Sequence, residues 1–189
     1  MSHTPERDHS KQIFTIPNLL SVFRLCLIPV FVWLYCWKGN YPATAAVLLL
    51  SGFTDIADGF IARRFHMISD LGKVLDPIAD KLTQTAALGC LLTRFQAVWW
   101  LLGVLVVKET VMAVMGLLVI RRTGAVYSAS WHGKLATCVL YAVIFTHIVW
   151  YAIPQSVSAV LVLAGAASIL LSLVLYTKED LGRLRGGQG

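Results

Sequence analysis

Six apolar runs, each bounded by polar or charged residues, dominate the chain at 19–37, 43–61, 78–92, 97–120, 135–153 and 157–176. The hydrocarbon core of a bilayer is crossed by about 20 residues of helix. Inside it every backbone N–H and C=O must be paired within the segment, so runs of this kind are helices. Only 14% of the residues are charged, against about 25% in a typical soluble domain. The sequence therefore predicts an all-α integral membrane protein with six transmembrane helices in a domain over 17–178. Residues 1–16, with Ile13, Phe14 and Ile16 among polar neighbours, predict a short N-terminal interfacial segment, and 179–189, ending in Gly and Gln, a flexible C-terminal tail. The first run is too long for a signal peptide and lacks a small-residue cleavage site.

Charge sets the expected orientation. Two of the short connectors carry one basic residue each, Lys38 and Arg94, and the one near 154–156 carries none. The opposite face collects Arg63, Arg64, Lys73, Arg121, Arg122, Lys134 and Lys178 among others. By the positive-inside rule that face, with both termini, is cytoplasmic. Trp33, Trp37, Trp99, Trp100, Trp150 and Tyr151 fall toward the outer ends, as interfacial aromatics do. In a bacterium the membrane would be the plasma membrane. No basic run alternates with aromatics, which argues against nucleic-acid binding. Cys26, Cys36, Cys90 and Cys138 each sit inside an apolar run with no CxxC pair, and read as small apolar side chains. His66 and His132, near the cytoplasmic face, read as ordinary interface residues.

Five of the 10 acidic residues, Asp55, Asp58, Asp70, Asp76 and Asp80, fall within 26 positions. Asp55 and Asp58 are three apart near the end of the second run; Asp76 and Asp80 are four apart near the start of the third. Those spacings put each pair on one helix face, and a short loop makes the two helices antiparallel neighbours whose carboxylates converge. An Asp at the centre of a membrane helix costs about 3 kcal/mol even on a lenient scale. Too few bases lie nearby to pair all four, so protonation or cations must compensate them. An all-carboxylate set without His or Cys suits Mg²⁺, Mn²⁺ or Ca²⁺ better than Zn²⁺. Two metals about 4 Å apart could share it and clamp a diphosphate. Gly59 and Gly72 would let a bulky ligand approach the backbone, and Arg63 could meet a phosphate.

The segment resembles the signature of the CDP-alcohol phosphatidyltransferase family, D-x2-D-G-x2-A-R-x8-G-x3-D-x3-D. All its fixed positions are met, by Asp55, Asp58, Gly59, Ala62, Arg63, Gly72, Asp76 and Asp80. The likeness extends to the Ile16-Pro17-Asn18-Leu19-Leu20 entry of the first run and to Gly133-Lys134 near the fifth. It implies a homodimeric six-helix enzyme that moves a phosphatidyl group from CDP-diacylglycerol to an alcohol in a cavity open to the cytoplasmic leaflet, releasing CMP. It further implies that Asp55, Asp58, Asp76 and Asp80 hold two Mg²⁺ or Mn²⁺ ions, that Asp80 is the general base, and that Gly59, Ala62, Arg63 and Gly72 border the cytidine and diphosphate.

The acceptor is less constrained. Lys108, Arg121 and Lys134 are candidates for its phosphate, with membrane anchoring the alternative for Arg121 and structural neutralisation by a partner the alternative for Lys108. Phosphatidylglycerophosphate synthases look similar overall, but they commonly carry Arg-Glu where this chain has Lys108-Glu109, and a further Arg where it has Gly116. The expected acceptor is glycerol 3-phosphate, with phosphatidylglycerol, the substrate of cardiolipin synthases, as the alternative. A Mg²⁺ transporter would also place carboxylates in the membrane, but would not require two glycines and an Arg in register with them. An intramembrane prenyltransferase would be a longer chain with separated Asp motifs.

Overall fold

A tight turn at 37–40 folds the first two helices against one another. α1 (Ile16–Cys36) packs along α2 (Tyr41–Arg64). Gly39 adopts φ of 60°, a left-handed conformation open to glycine at little cost. The Asn40 side chain then accepts a hydrogen bond from the Ala43 amide at 3.1 Å and caps α2. In the computed structural model the described residues are 16–64, 70–123 and 131–186. They form four further helices: α3 (Asp70–Leu92), α4 (Val98–Thr123), α5 (Trp131–Val149) and α6 (Gln155–Gly186). Among the described residues there is no strand.

The chain divides into two compact units, Met1–Cys90 and Leu91–Gly189. In the first, α3 meets α1 through polar contacts, with Ser21 donating to Asp76. The thiols of Cys36 and Cys90 are 3.9 Å apart and form no disulfide. In the second, α4 and α5 each pack along α6. Gly165 of α6 permits that approach: a Cβ there would lie 3.2 Å from Leu101 and 3.5 Å from Val143. At the far end of α5, buried His147 is held by the Val143 carbonyl at 2.8 Å and the Ser158 hydroxyl at 2.9 Å.

The helices are apolar on their outer sides as well as between one another. Leu19, Phe53, Ile56, Trp99, Trp100, Val160 and Leu163 are all exposed, a surface suited to lipid and not to water. Among the described residues five helices, all but α3, are long and apolar enough to cross a membrane. α3 is long enough but carries Asp70, Lys73, Asp76, Asp80 and Lys81. The expectation of an all-helical integral membrane protein thus holds. The bounds differ by up to four residues in α1, α2, α4 and α5, with α5 starting and ending four residues early, and by more at two places. α3 begins eight residues before the apolar run at 78, because its first turns are polar helix. α6 continues to Gly186, through most of the stretch expected to be a tail. The expected interfacial segment at 1–16 lies outside the described residues but for Ile16.

Candidate active site

The centre of the first unit is a polar seam between apolar helices. On α1, Asn18, Ser21 and Arg24 recur every three residues and are all buried, which puts them on one face of the helix. α2 answers with Ser51, Asp55 and Asp58, and α3 with Asp76, Asp80, Thr83 and Gln84. Arg24 is the pivot. Its side chain is 2% exposed and bridges the α2 pair, with Nη1 2.7 Å from Asp55 Oδ1 and Nη2 2.5 Å from Asp58 Oδ2. Asp58 is enclosed at 3% exposure, while Asp55 is 50% exposed and opens outward.

The α3 pair is held separately. Asp76 accepts from the Ser21 hydroxyl, and Asp80 accepts from the Gln84 amide at 2.9 Å. Pro77 stands between them and removes one helical hydrogen bond at that level. The two pairs feel each other: Asp55 lies in the field of both Asp76 and Asp80, and Asp58 in that of Asp76. The carboxylates therefore converge, but α1 mediates the convergence. Two short contacts from one helix, Ser21 to α3 and Arg24 to α2, bring the pairs to a common region.

Sequence reasoning overlooked Arg24. Its charge was lost inside a long apolar run, where the rhythm of Asn18, Ser21 and Arg24 was the available signal, since intramembrane polar residues at helical spacing face a polar interior. Arg24 is a base within reach of the α2 pair that the expectation of too few nearby bases did not include. Among the described residues no three carboxylate, imidazole or thiolate groups stand close enough to enclose a metal ion. The donor set nevertheless fits a hard divalent cation: it offers four carboxylates from two helices, with Asp55 in the field of both α3 carboxylates and Asp58 in that of Asp76. Gly72 is buried and Gly59 half-buried on the same two helices. The side chains of Ala62 and Arg63 lie outside the described residues, as does His66.

Residues 14–175 match the family described as CDP-alcohol phosphatidyltransferase. The chain belongs to that family. A probable phosphatidylglycerophosphate synthase of Mycobacterium tuberculosis is 34% identical over 168 residues, covering 86% of this chain and 78% of the relative. The cardiolipin synthase (CMP-forming) of Streptomyces coelicolor is 36% identical over 136 residues, 69% of this chain and 63% of its own. The CDP-diacylglycerol–glycerol-3-phosphate 3-phosphatidyltransferase of Bacillus subtilis is 34% identical over 140 residues, 66% and 72% of the two chains.

The second unit of this phosphatidyltransferase holds the expected acceptor residues, and they differ in setting. Lys108 is buried and its Nζ lies 2.8 Å from Glu109 Oε1, so the structural alternative for Lys108 has a named partner. Arg121 is exposed in the last turn of α4, beside Arg122. Lys134 is exposed in the first turns of α5, next to buried Gly133. His132 is no ordinary interface residue. It is buried, its Nε2 lies 3.0 Å from Glu179 Oε1, and its ring meets that of Tyr176 edge-on at 4.5 Å. The groups that fasten it lie more than 40 residues along the chain, so no local pattern announced them.

Proposed function

We propose that this phosphatidyltransferase transfers the phosphatidyl group of CDP-diacylglycerol to glycerol 3-phosphate, forming phosphatidylglycerophosphate and CMP. The observation that carries the reading is the convergence of the α2 and α3 carboxylates, combined with the likeness to relatives of that name and activity. Asp55, Asp58, Asp76 and Asp80 are the proposed ligands of Mg²⁺ or Mn²⁺, two ions to a site. Such ions, when bound, neutralise the charge that gathers on the phosphoryl oxygens and the departing nucleotide.

The chain's own groups do the rest. Asp80, oriented by Gln84 at 2.9 Å, takes the proton of the acceptor hydroxyl as its oxygen attacks phosphorus. The new P–O bond forms to the acceptor while the bond to the CMP oxygen breaks, and the electron pair leaves with CMP. Gly59 and Gly72, without side chains, admit the cytidine and diphosphate, and Arg63 supplies a cation toward them. Lys134, exposed and cationic, is the proposed ligand of the acceptor phosphate, with Lys108 and Arg121 as further candidates. Water competes with the acceptor for the same phosphorus, so holding the hydroxyl in place matters as much as deprotonating it. The positive-inside distribution supports a site facing the cytoplasm and cytoplasmic termini, and the family likeness supports a homodimer.

Gly116, where an Arg would strengthen a glycerol 3-phosphate pocket, favours a second reading with phosphatidylglycerol as acceptor and cardiolipin as product, in keeping with the Streptomyces coelicolor relative. The test is an acceptor screen. Purified protein in detergent with labelled CDP-diacylglycerol and Mg²⁺ or Mn²⁺ receives glycerol 3-phosphate or phosphatidylglycerol, and the lipid product is separated by chromatography. Label in phosphatidylglycerophosphate supports the first reading and label in cardiolipin the second. Release of CMP with neither acceptor preferred refutes both.

A further inference from the structure

We infer that Arg24 is a built-in counter-ion that competes with the divalent cation for Asp55 and Asp58, and that the cation releases its guanidinium to the diphosphate of the CDP-lipid. This rests on the metal reading above.

Three features carry it. First, Arg24 is where a cation is wanted. Its side chain is 2% exposed and bridges one oxygen of each α2 carboxylate at 2.7 and 2.5 Å. Arg in a membrane helix ordinarily extends its head toward the interface; this one turns into the seam. Second, its donors are under-used. Among the described residues Nε has no hydrogen-bond partner, and Nη1 reaches Asp55 at ion-pair distance but out of line for a hydrogen bond. A guanidinium carries five N–H donors in a rigid fork, and buried donors left unpaired are costly. Such a fork is suited to a ligand with several oxygens, and phosphate is the group it matches best. Third, Ser21, one turn earlier on the same face of α1, holds Asp76 of the other pair. A single helix thus presents both a counter-charge and a hydroxyl to the carboxylates before any cation arrives.

The consequence is a coupling between cation and nucleotide. Oxygens engaged by Arg24 are not free for a cation, so the cation binds weakly while the guanidinium has no other partner. A diphosphate offers that partner and thereby strengthens cation binding; by linkage the cation strengthens diphosphate binding equally. The device would keep the α2 pair partly compensated between turnovers.

The test measures Mn²⁺ binding to the purified full-length protein by electron paramagnetic resonance of the free ion, with and without cytidine diphosphate. In the unsubstituted protein, cytidine diphosphate should tighten Mn²⁺ binding about tenfold, within the usual range of such couplings. In Arg24→Gln, Mn²⁺ alone should bind about tenfold more tightly than to the unsubstituted protein, and the nucleotide should add less. Should Arg24→Gln fail to fold, Arg24→Lys carries the test. It retains the charge without the fork, so Mn²⁺ alone should bind as before while the increment from the nucleotide falls. A purely structural Arg24 predicts the reverse sign, with Mn²⁺ bound equally or more weakly in Arg24→Gln and the nucleotide increment unchanged in Arg24→Lys; that outcome overturns the inference alone. Absence of any Mn²⁺ binding to the unsubstituted protein overturns the metal reading and this inference with it.

Discussion

Gly133→Ala offers a sharp test of how the start of α5 is packed in the second unit. A Cβ on Gly133 would lie 2.5 Å from the Tyr176 hydroxyl oxygen, 2.8 Å from its Cε2 and 3.0 Å from its Cζ. Three atoms of a rigid ring are too close, and the ring cannot simply swing away, because Tyr176 is buried with its other contacts including the His132 ring at 4.5 Å. Forcing a methyl into a packed site of this kind costs about 1–3 kcal/mol. Removing a helical glycine returns up to about 1 kcal/mol. Gly116→Ala is the control, since nothing lies within 4 Å of a Cβ there. The difference between the two variants removes most of the glycine contribution and leaves the clash. At about 2 kcal/mol it separates their melting temperatures by about 4–8 °C for a chain of this size. Thermal unfolding in detergent reads the gap directly. In a Tyr176→Leu background Gly133→Ala should become nearly neutral. Equal melting of the two alanine variants, or an undiminished cost of Gly133→Ala in the Tyr176→Leu background, would refute the packing account and leave the Gly-Lys pair without a structural reason for its glycine.

Other expectations are narrower. Asp80→Asn should lower turnover about 10²–10⁴-fold while affinity for cytidine diphosphate, read by calorimetry, falls far less; turnover near the original rate removes Asp80 as base. Lys134→Ala should raise the KM for glycerol 3-phosphate about 10–100-fold, the scale of one charged hydrogen bond, and leave that for CDP-diacylglycerol nearly unchanged. An equal rise in both constants would assign Lys134 to general structure. Ser158→Ala leaves the buried His147 Nε2 without its partner at 2.9 Å and should cost about 1–3 kcal/mol; an unaltered melting temperature means that the imidazole finds another partner.

The helices were legible because a bilayer leaves the chain so little choice. Runs such as 97–120 and 157–176 must pair their backbone internally, and α4 and α6 cover them. α3 shows where this reasoning thins. Only its apolar second half resembled a span, because Asp70, Asp76 and Asp80 broke the hydropathy, yet the helix extends through them and Asp76 meets Ser21 of α1. The acidic pairs were legible from spacing alone, since three- and four-residue intervals carry face information. Their counter-ion was not, as a single Arg in a span announces nothing without its neighbours Asn18 and Ser21. The clasp of His132 by Glu179 and Tyr176 joins the start of α5 to the far part of α6, and such long-range pairs leave no local trace.

Stability does not account for the polar seam. A buried ion pair gains Coulomb energy only after both charges are stripped of water, and replacing such a group by apolar residues of similar volume is often neutral or stabilising by about 1–4 kcal/mol. Arg24 and Asp58 are both nearly fully enclosed, so the desolvation applies to each, and the orphaned Nε adds to it. Removing one partner is a different matter, because it strands the other charge. The triple variant Arg24→Met, Asp55→Leu, Asp58→Leu removes the whole group at once. It should melt at or above the temperature of the unsubstituted protein and transfer no phosphatidyl group, whereas Asp58→Leu alone should melt well below it. A triple variant that melts as low as the single one would mean that the charges brace α1 against α2, and the case for their retention as working groups would then rest on the catalytic measurements alone.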